Sequence, residues 1–178
     1  MGALATRISD LDRRWLVGVA SRHAPPWLDM ALRGLTHLGG ATCTLLLGVV
    51  LLAVPSTRPV GLALLLANAS SHLAVQVVKR TAGRPRPHFP DEGIEALVAH
   101  PDEFSLPSGH SAAAMSVAMT LLLWTGAEVA GWVAGVALGL AAVVGVSRVY
   151  LRVHYVTDVM LGQALGALGA VLATRLVG

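Results

Sequence analysis

The chain is 178 residues long, 54% of them hydrophobic and only 13% charged, with a net charge of +3, a mean hydropathy of +0.67 and one cysteine, Cys43. A soluble globular chain is typically about a quarter charged, so this one lacks the means to cover a water-facing surface. Its apolar content excludes intrinsic disorder, and a lone cysteine excludes both a disulfide framework and a cysteine-based zinc site; what remains is an integral membrane protein.

Residues 7–33 mix Arg7, Asp10, Asp12, Arg13, Arg14, Arg22, Asp29 and Arg33 with Leu11, Trp15, Leu16, Val17, Trp27, Leu28 and Leu32, and Pro25-Pro26 divides them. The mixture is too polar to cross lipid and predicts two short amphipathic helices lying at headgroup level. Residues 1–34 are therefore read as an interfacial segment and 35–178 as the membrane bundle. A cleaved signal peptide does not fit, because the apolar run is short and contains Arg22 and His23.

Beyond this segment charge nearly vanishes. Between Gly34 and Val78 the only formal charge is Arg58, between Gly109 and Ser147 it is Glu128, and between Val159 and Gly178 it is Arg175. A helical crossing needs about 20 apolar residues. The first two stretches read as helical hairpins, broken at Pro55-Ser56-Thr57-Arg58-Pro59 and at Thr125-Gly126-Ala127-Glu128, and the last as a single crossing. The expected fold is an all-α transmembrane bundle of about five spans, at 35–54, 59–78, 109–125, 128–147 and 155–176. Trp124 and Trp132 at one end, with Tyr150 and Tyr155 at the other, fit interfacial belts. Gly131, Gly135 and Gly139 recur every four residues, as do Gly162, Gly166 and Ala170. Such spacing lets helix backbones approach closely in lipid, and packing within one bundle is preferred to a dimer interface.

The remaining polar residues fall in two connections, Lys79 to Pro107 and Arg148 to Val153, which span counting places on one side of the membrane together with the N-terminus. Lys79, Arg86 and Arg148 offer positive charge, and arginine suits bidentate contact with oxyanions. Ser108 and Gly109 open the third span, where free backbone N–H groups and the helix dipole favour an anion. Together these make an electrostatic cradle for phosphate. His154 and Asp158 are four apart, a spacing that shares one helix face. The carboxylate can hold one ring nitrogen and leave the other free as a nucleophile. His110 follows the anion-binding turn and can protonate a leaving oxygen. By contrast, Arg7, Arg13, Arg14, Arg22, Arg33, Arg58 and Arg175 are read as topology anchors, and His23, His37, His88 and His100 as structural.

These residues resemble a known family. Lys79-x6-Arg86-Pro87, Pro107-Ser108-Gly109-His110 and Ser147-Arg148-x5-His154-x3-Asp158 are similar to the signature motifs of the phosphatidic acid phosphatase type 2 superfamily, filled in order and at the expected spacing over residues 79–158. The resemblance implies that Lys79, Arg86, Ser108, Gly109 and Arg148 bind phosphate oxygens. It implies that His154 forms a phosphohistidine, that Asp158 orients it, and that His110 serves as acid and then base. It implies neither metal nor other cofactor. Many bacterial members have six spans, whereas five are counted here, with an amphipathic segment in place of the first.

The partners expected are the bilayer of a bacterial cell membrane and a lipid phosphate, with no nucleic acid. Span-end residues put the site at the membrane–water interface. The resemblance suggests an extracytoplasmic site, while the excess of arginines on the same side argues for the cytoplasm by the positive-inside rule, so both orientations stay open. Asn68, His72 and Gln76 lie at i, i+4 and i+8 toward Lys79; they line a headgroup pocket or make interhelical hydrogen bonds. Asp91, Glu92, Glu95, Asp102 and Glu103 read as a solvated loop surface, or alternatively as charges that repel anionic headgroups. Candidate substrates are phosphatidic acid, phosphatidylglycerophosphate, a polyprenyl diphosphate and a polyprenyl-linked sugar phosphate. Two rival readings are a vanadate-dependent haloperoxidase-like enzyme, whose relatives are soluble and larger, and a non-enzymatic lipid-binding or scramblase-like protein, which would be expected to lose one of His110, His154 and Asp158.

Overall fold

The computed structural model describes residues 3–21, 24–100, 102–124 and 130–178. Arg22, His23 and the expected turn at Thr125–Glu128 lie outside the described residues. The described chain is all-α: α1 Ala3–Ala20, α2 Pro26–Leu35, α3 Ala41–Ala53, α4 Arg58–Ala82, α5 Gly109–Trp124, α6 Ala130–Tyr150 and α7 Val156–Val177. Among the described residues, three stretches are long and apolar enough to cross a membrane, namely α4, Gly131–Tyr150 of α6, and α7. Residues 26–39 and 41–53, bent by 50° at their junction, pass the same test jointly and make a fourth. Helix α5 is apolar but has only 16 residues.

The boundaries move where packing overrides the charge-free runs. The expected crossing at 35–54 does not run straight. Residues 36–39 form a 3₁₀ turn and Gly40 is extended, at φ −73 and ψ 151. The cause is close approach: a Cβ on Gly39 would lie 2.5 Å from the His110 carbonyl oxygen and 2.7 Å from a methyl of Val144. The chain thus lays its turn against the start of α5 before entering α3. Helix α4 runs past the expected end at 78 to Ala82, capped by Gly83 in the left-handed region at φ 56, so Lys79 sits in its last turn. Helix α6 likewise extends to Tyr150, placing Arg148 on the helix rather than in the connection.

Helix α5 lies at the centre, packed against α4, α6 and α7. Its contact with α7 depends on small residues. A Cβ on Gly162 would come within 2.4 Å of the Ser108 carbonyl, and one on Gly166 within 2.2 Å of the Ala112 carbonyl. The α7 stripe therefore packs inside the bundle, as expected. The α6 stripe does not: Gly131, Gly135 and Gly139 meet nothing within 4 Å.

The N-terminal helices are tied to the bundle. Leu16 of α1 is fully buried in a cluster with Ile94, Val149, Tyr155 and Val159, while Ile8, Leu11 and Trp15 are exposed. Arg13 pairs with Glu92 and lies 5.3 Å from the Phe89 ring centroid. Arg33 donates to Asp29 at 2.8 Å and to the Leu97 carbonyl at 2.6 Å. These two arginines hold the 83–108 connection against the N-terminal helices. Tyr155, expected in an aromatic belt, is instead buried, with the Arg84 guanidinium stacked 4.0 Å from its ring centroid.

Candidate active site

Each functional side chain is delivered by an element end. Lys79 comes from the last turn of α4, Arg86 from the following connection, Gly109 and His110 from the first turn of α5, and Arg148 from the last turns of α6. His154 lies in the tight link to α7, just before its cap residue Tyr155, and Asp158 is the third residue of that helix. All of these except Asp158 line one cavity of about 640 Å³, which continues along α4 past Gln76, His72 and Asn68. The two histidines, 44 positions apart in the chain, thus face the same space.

The cations are fixed by specific acceptors. The Lys79 ammonium donates to both carboxylate oxygens of Asp102 at 2.8 and 2.9 Å and to the Phe104 carbonyl at 3.0 Å. Arg86 donates from Nη2 to Asp102 Oδ1 at 2.8 Å, from Nε to the Asp102 carbonyl at 2.8 Å and from Nη1 to the Val153 carbonyl at 2.7 Å. Arg148 donates from Nη1 to Thr36 Oγ1 at 3.0 Å, while its buried Nε has no partner among the described residues. Asp102 is therefore no part of a solvated loop surface; it sits between the two cations. A carboxylate in a loop that returns past two basic residues was the only sequence signal for this.

His154 Nε2 is 3.3 Å from Arg86 Nη1. Because a guanidinium can only donate, that nitrogen presents its lone pair, which puts the proton of the neutral ring on Nδ1. Burial pushes the His154 pKa down to about 4 against the pull of Asp158, with Arg148 and Arg86 adding to the depression, so the imidazole is neutral at physiological pH. Nδ1 faces Asp158 Oδ2 at 3.6 Å, longer than a hydrogen bond. The shared helix face expected from the i, i+4 spacing is not what joins them, since His154 precedes the helix. Instead Asp158 is placed by a capping box, its Oδ2 accepting the Tyr155 N–H at 2.8 Å. Catalytic contacts often tighten when substrate binds.

Asp158 has a further partner that the sequence reading missed. Arg84 donates from Nη1 to Asp158 Oδ1 at 2.8 Å and from Nη2 to Asp12 Oδ2 at 2.7 Å. Asp12, on α1, is only 2% exposed and also accepts the Thr157 N–H at 3.1 Å. The N-terminal helix is thereby anchored one residue behind the histidine–carboxylate pair. Asp12→Ala is expected to strand the Thr157 N–H and half of the Arg84 guanidinium, lowering stability by about 2–3 kcal/mol; thermal unfolding in detergent measures it.

Ser108 stands behind the cavity wall. Its N–H is given to the Asp158 carbonyl at 2.9 Å, and its hydroxyl accepts from the Ser111 hydroxyl at 2.9 Å and the Ser111 N–H at 3.4 Å, capping α5. The residues after it, Gly109 and His110, line the cavity. Asn68 is buried with its Nδ2 lacking a partner among the described residues, and neither His72 nor Gln76 makes a hydrogen bond to another helix there. No group of three or more His, Cys, Asp or Glu that could hold a metal ion occurs among the described residues.

Comparison with known proteins places this arrangement. The family model described as the PAP2 superfamily matches residues 60–178. Phosphatidylglycerophosphatase B of Bacillus subtilis is 35% identical over 156 residues, covering 80% of this chain and 72% of that one. Decaprenylphosphoryl-5-phosphoribose phosphatase of Mycolicibacterium smegmatis is 36% identical over 139 residues, covering 77% and 72%. The crystal structure of a transmembrane PAP2-type phosphatidylglycerolphosphate phosphatase from Bacillus subtilis superposes with a TM-score of 0.80 at 32% identity, covering 96% of this chain and 86% of that one.

Proposed function

Because this chain belongs to the PAP2 superfamily and is a membrane-integrated lipid phosphatase, we propose that it removes the terminal phosphate of a membrane lipid through a phosphohistidine formed on His154. The observation that carries this reading is the convergence of Lys79 and Arg86 on one anion, with His154 Nε2 3.3 Å from Arg86, in a cavity shared with His110.

Phosphoryl transfer needs positioning and charge stabilisation more than covalent assistance. Lys79, Arg86, Arg148 and the first amides of α5 at Gly109 and His110 hold the phosphate oxygens; Ser108 serves by capping that helix. The His154 Nε2 lone pair forms the P–N bond as the P–O bond to the lipid breaks, and His110 gives its proton to the departing oxygen. Asp158 stabilises the positive charge that arises on His154. Water then attacks phosphorus and gives its proton to His110, the P–N bond breaks, and inorganic phosphate leaves with both histidines restored.

The polar line of Gln76, His72 and Asn68 extends from Lys79 over 11 residues of α4, about 16 Å at helical rise. With no hydrogen bond to another helix among the described residues, it is suited to a polar group between the phosphate and the lipid tail. That favours phosphatidylglycerophosphate or a polyprenyl-linked sugar phosphate over phosphatidic acid or a bare polyprenyl diphosphate. We take the chain as five crossings, the bent pair 26–53 followed by α4, α5, α6 and α7. The exposed Ile8, Leu11 and Trp15 of α1 would lie at headgroup level.

Phosphate release by the purified protein from a panel of these four lipids, with and without EDTA, tests the reading. Hydrolysis that survives EDTA and is fastest for the lipids with a polar spacer supports it. Strict dependence on added Mg²⁺, or no release from any of the four, would sink it.

A further inference from the structure

We propose that Asp102 makes the phosphate site selective for dianionic terminal phosphates against the monoanionic phosphodiesters of the surrounding bilayer. This rests on the reading above that Lys79 and Arg86 bind the substrate phosphate.

The Asp102 carboxylate takes three charge-assisted hydrogen bonds of 2.8 to 2.9 Å from these two cations, the length and geometry that phosphate oxygens would receive. It lines the cavity, and its side chain is 35% exposed, so it stands in the mouth with room to swing aside. Its backbone is held separately, through the carbonyl that accepts Arg86 Nε at 2.8 Å. Rotation about the Asp102 side-chain bonds can therefore free the Lys79 and Arg86 Nη2 protons that the carboxylate holds, while the bonds to the Asp102, Val153 and Phe104 carbonyls keep both cations and the loop in place. Burial alone would raise its carboxyl, yet Lys79 and Arg86 hold it below the usual range, so it is an anion when substrate arrives.

Substrate binding is then an exchange of anions. A phosphodiester trades one negative charge for another and gains little. A phosphomonoester or terminal diphosphate carries about −1.5 to −2 at pH 7 and gains from the added charge. It also has oxygens to spare for Arg148, whose buried Nε no carboxylate reaches. Discrimination of this kind comes from an unfavourable term placed against the wrong ligand. It matters here because the competing phosphodiesters are the bilayer itself.

The test compares the wild type with Asp102→Asn and Asp102→Ala, as full-length protein in neutral detergent micelles. Three quantities are measured: the KM for a phosphomonoester lipid, inhibition by orthovanadate, and inhibition by phosphatidylglycerol, a phosphodiester. Both variants are expected to bind vanadate several-fold more tightly, and phosphatidylglycerol is expected to inhibit them at about tenfold lower concentration than the wild type. If phosphatidylglycerol inhibits all three proteins alike, or vanadate binding weakens or is lost in the variants, the proposal is overturned. Asp102 would then position the cations rather than compete for them. A wild type that neither turns over phosphomonoester lipid nor binds vanadate would overturn the parent reading as well.

Discussion

His154→Asn is expected to reduce phosphate release by on the order of 10⁴-fold or more, because loss of a nucleophile that cannot be substituted leaves only binding and electrostatic assistance. Asparagine fills similar space at a position that is 2% exposed, so the fold should survive, and vanadate binding through Lys79, Arg86 and Arg148 should persist within a few-fold. Rapid alkaline quench with ³²P-labelled substrate should show a base-stable, acid-labile phosphoenzyme in the wild type and none in the variant. Residual turnover above about one per cent would remove His154 from its assigned role. The nucleophile also has a distinctive proton affinity. An ordinary imidazole titrates near 6.5, and burial holds His154 near 4. A depressed histidine stays neutral as pH falls through 6.5 and becomes cationic, hence non-nucleophilic, only near the lower value. Titration of the ring nitrogens by NMR in detergent should place that change near pH 4, and a midpoint near 6.5 would contradict the buried environment described here.

Asp158→Asn carries the second large effect, a fall in kcat of about 10³-fold with KM nearly unchanged, by analogy with the loss of a carboxylate that orients a catalytic imidazole. The asparagine oxygen can still accept the Tyr155 N–H that caps α7, so the helix start is retained. What disappears is the negative charge facing His154 Nδ1 at 3.6 Å and Arg84 at 2.8 Å. A group that touches the histidine but not the substrate should alter kcat and leave vanadate affinity in place. An equal loss in KM would show that the residue matters for folding or binding instead. Because Arg84 bridges Asp158 to Asp12, the effects of Asp158→Asn and Asp12→Ala should be non-additive.

The membrane class and the chemistry were legible before any coordinates. Charge-free runs must be buried in lipid or protein whatever the tertiary arrangement, so their positions alone indicated the α4, α6 and α7 crossings. Lys79, Gly109, His110, Arg148 and His154 could be grouped because each falls at or beside the end of an apolar run, with Arg86 in the connection that follows Lys79, and span counting puts those ends together. Polar residues on an apolar helix also announce themselves, which is why Asn68, His72 and Gln76 were found.

Other features were set by packing, which hydropathy does not encode. Residues 35–54 look like one helix, yet Gly39 must clear the His110 carbonyl, and the chain turns there. Ser108 looks like a ligand by its place in the motif, and only the coordinates show that its N–H is given to the Asp158 carbonyl and that its hydroxyl oxygen caps α5. Asp12, Arg84 and Asp102 look like solvated charges, because a sequence shows that a residue is ionised but not which opposite charge lies beside it. That pairing depends on where a 26-residue connection and an N-terminal helix come to rest against the bundle. Sequence alone therefore determined that this protein lives in a membrane and handles phosphate. The tertiary structure decided which carboxylates stand next to its cations, because Coulomb attraction falls with distances through space and not along the chain.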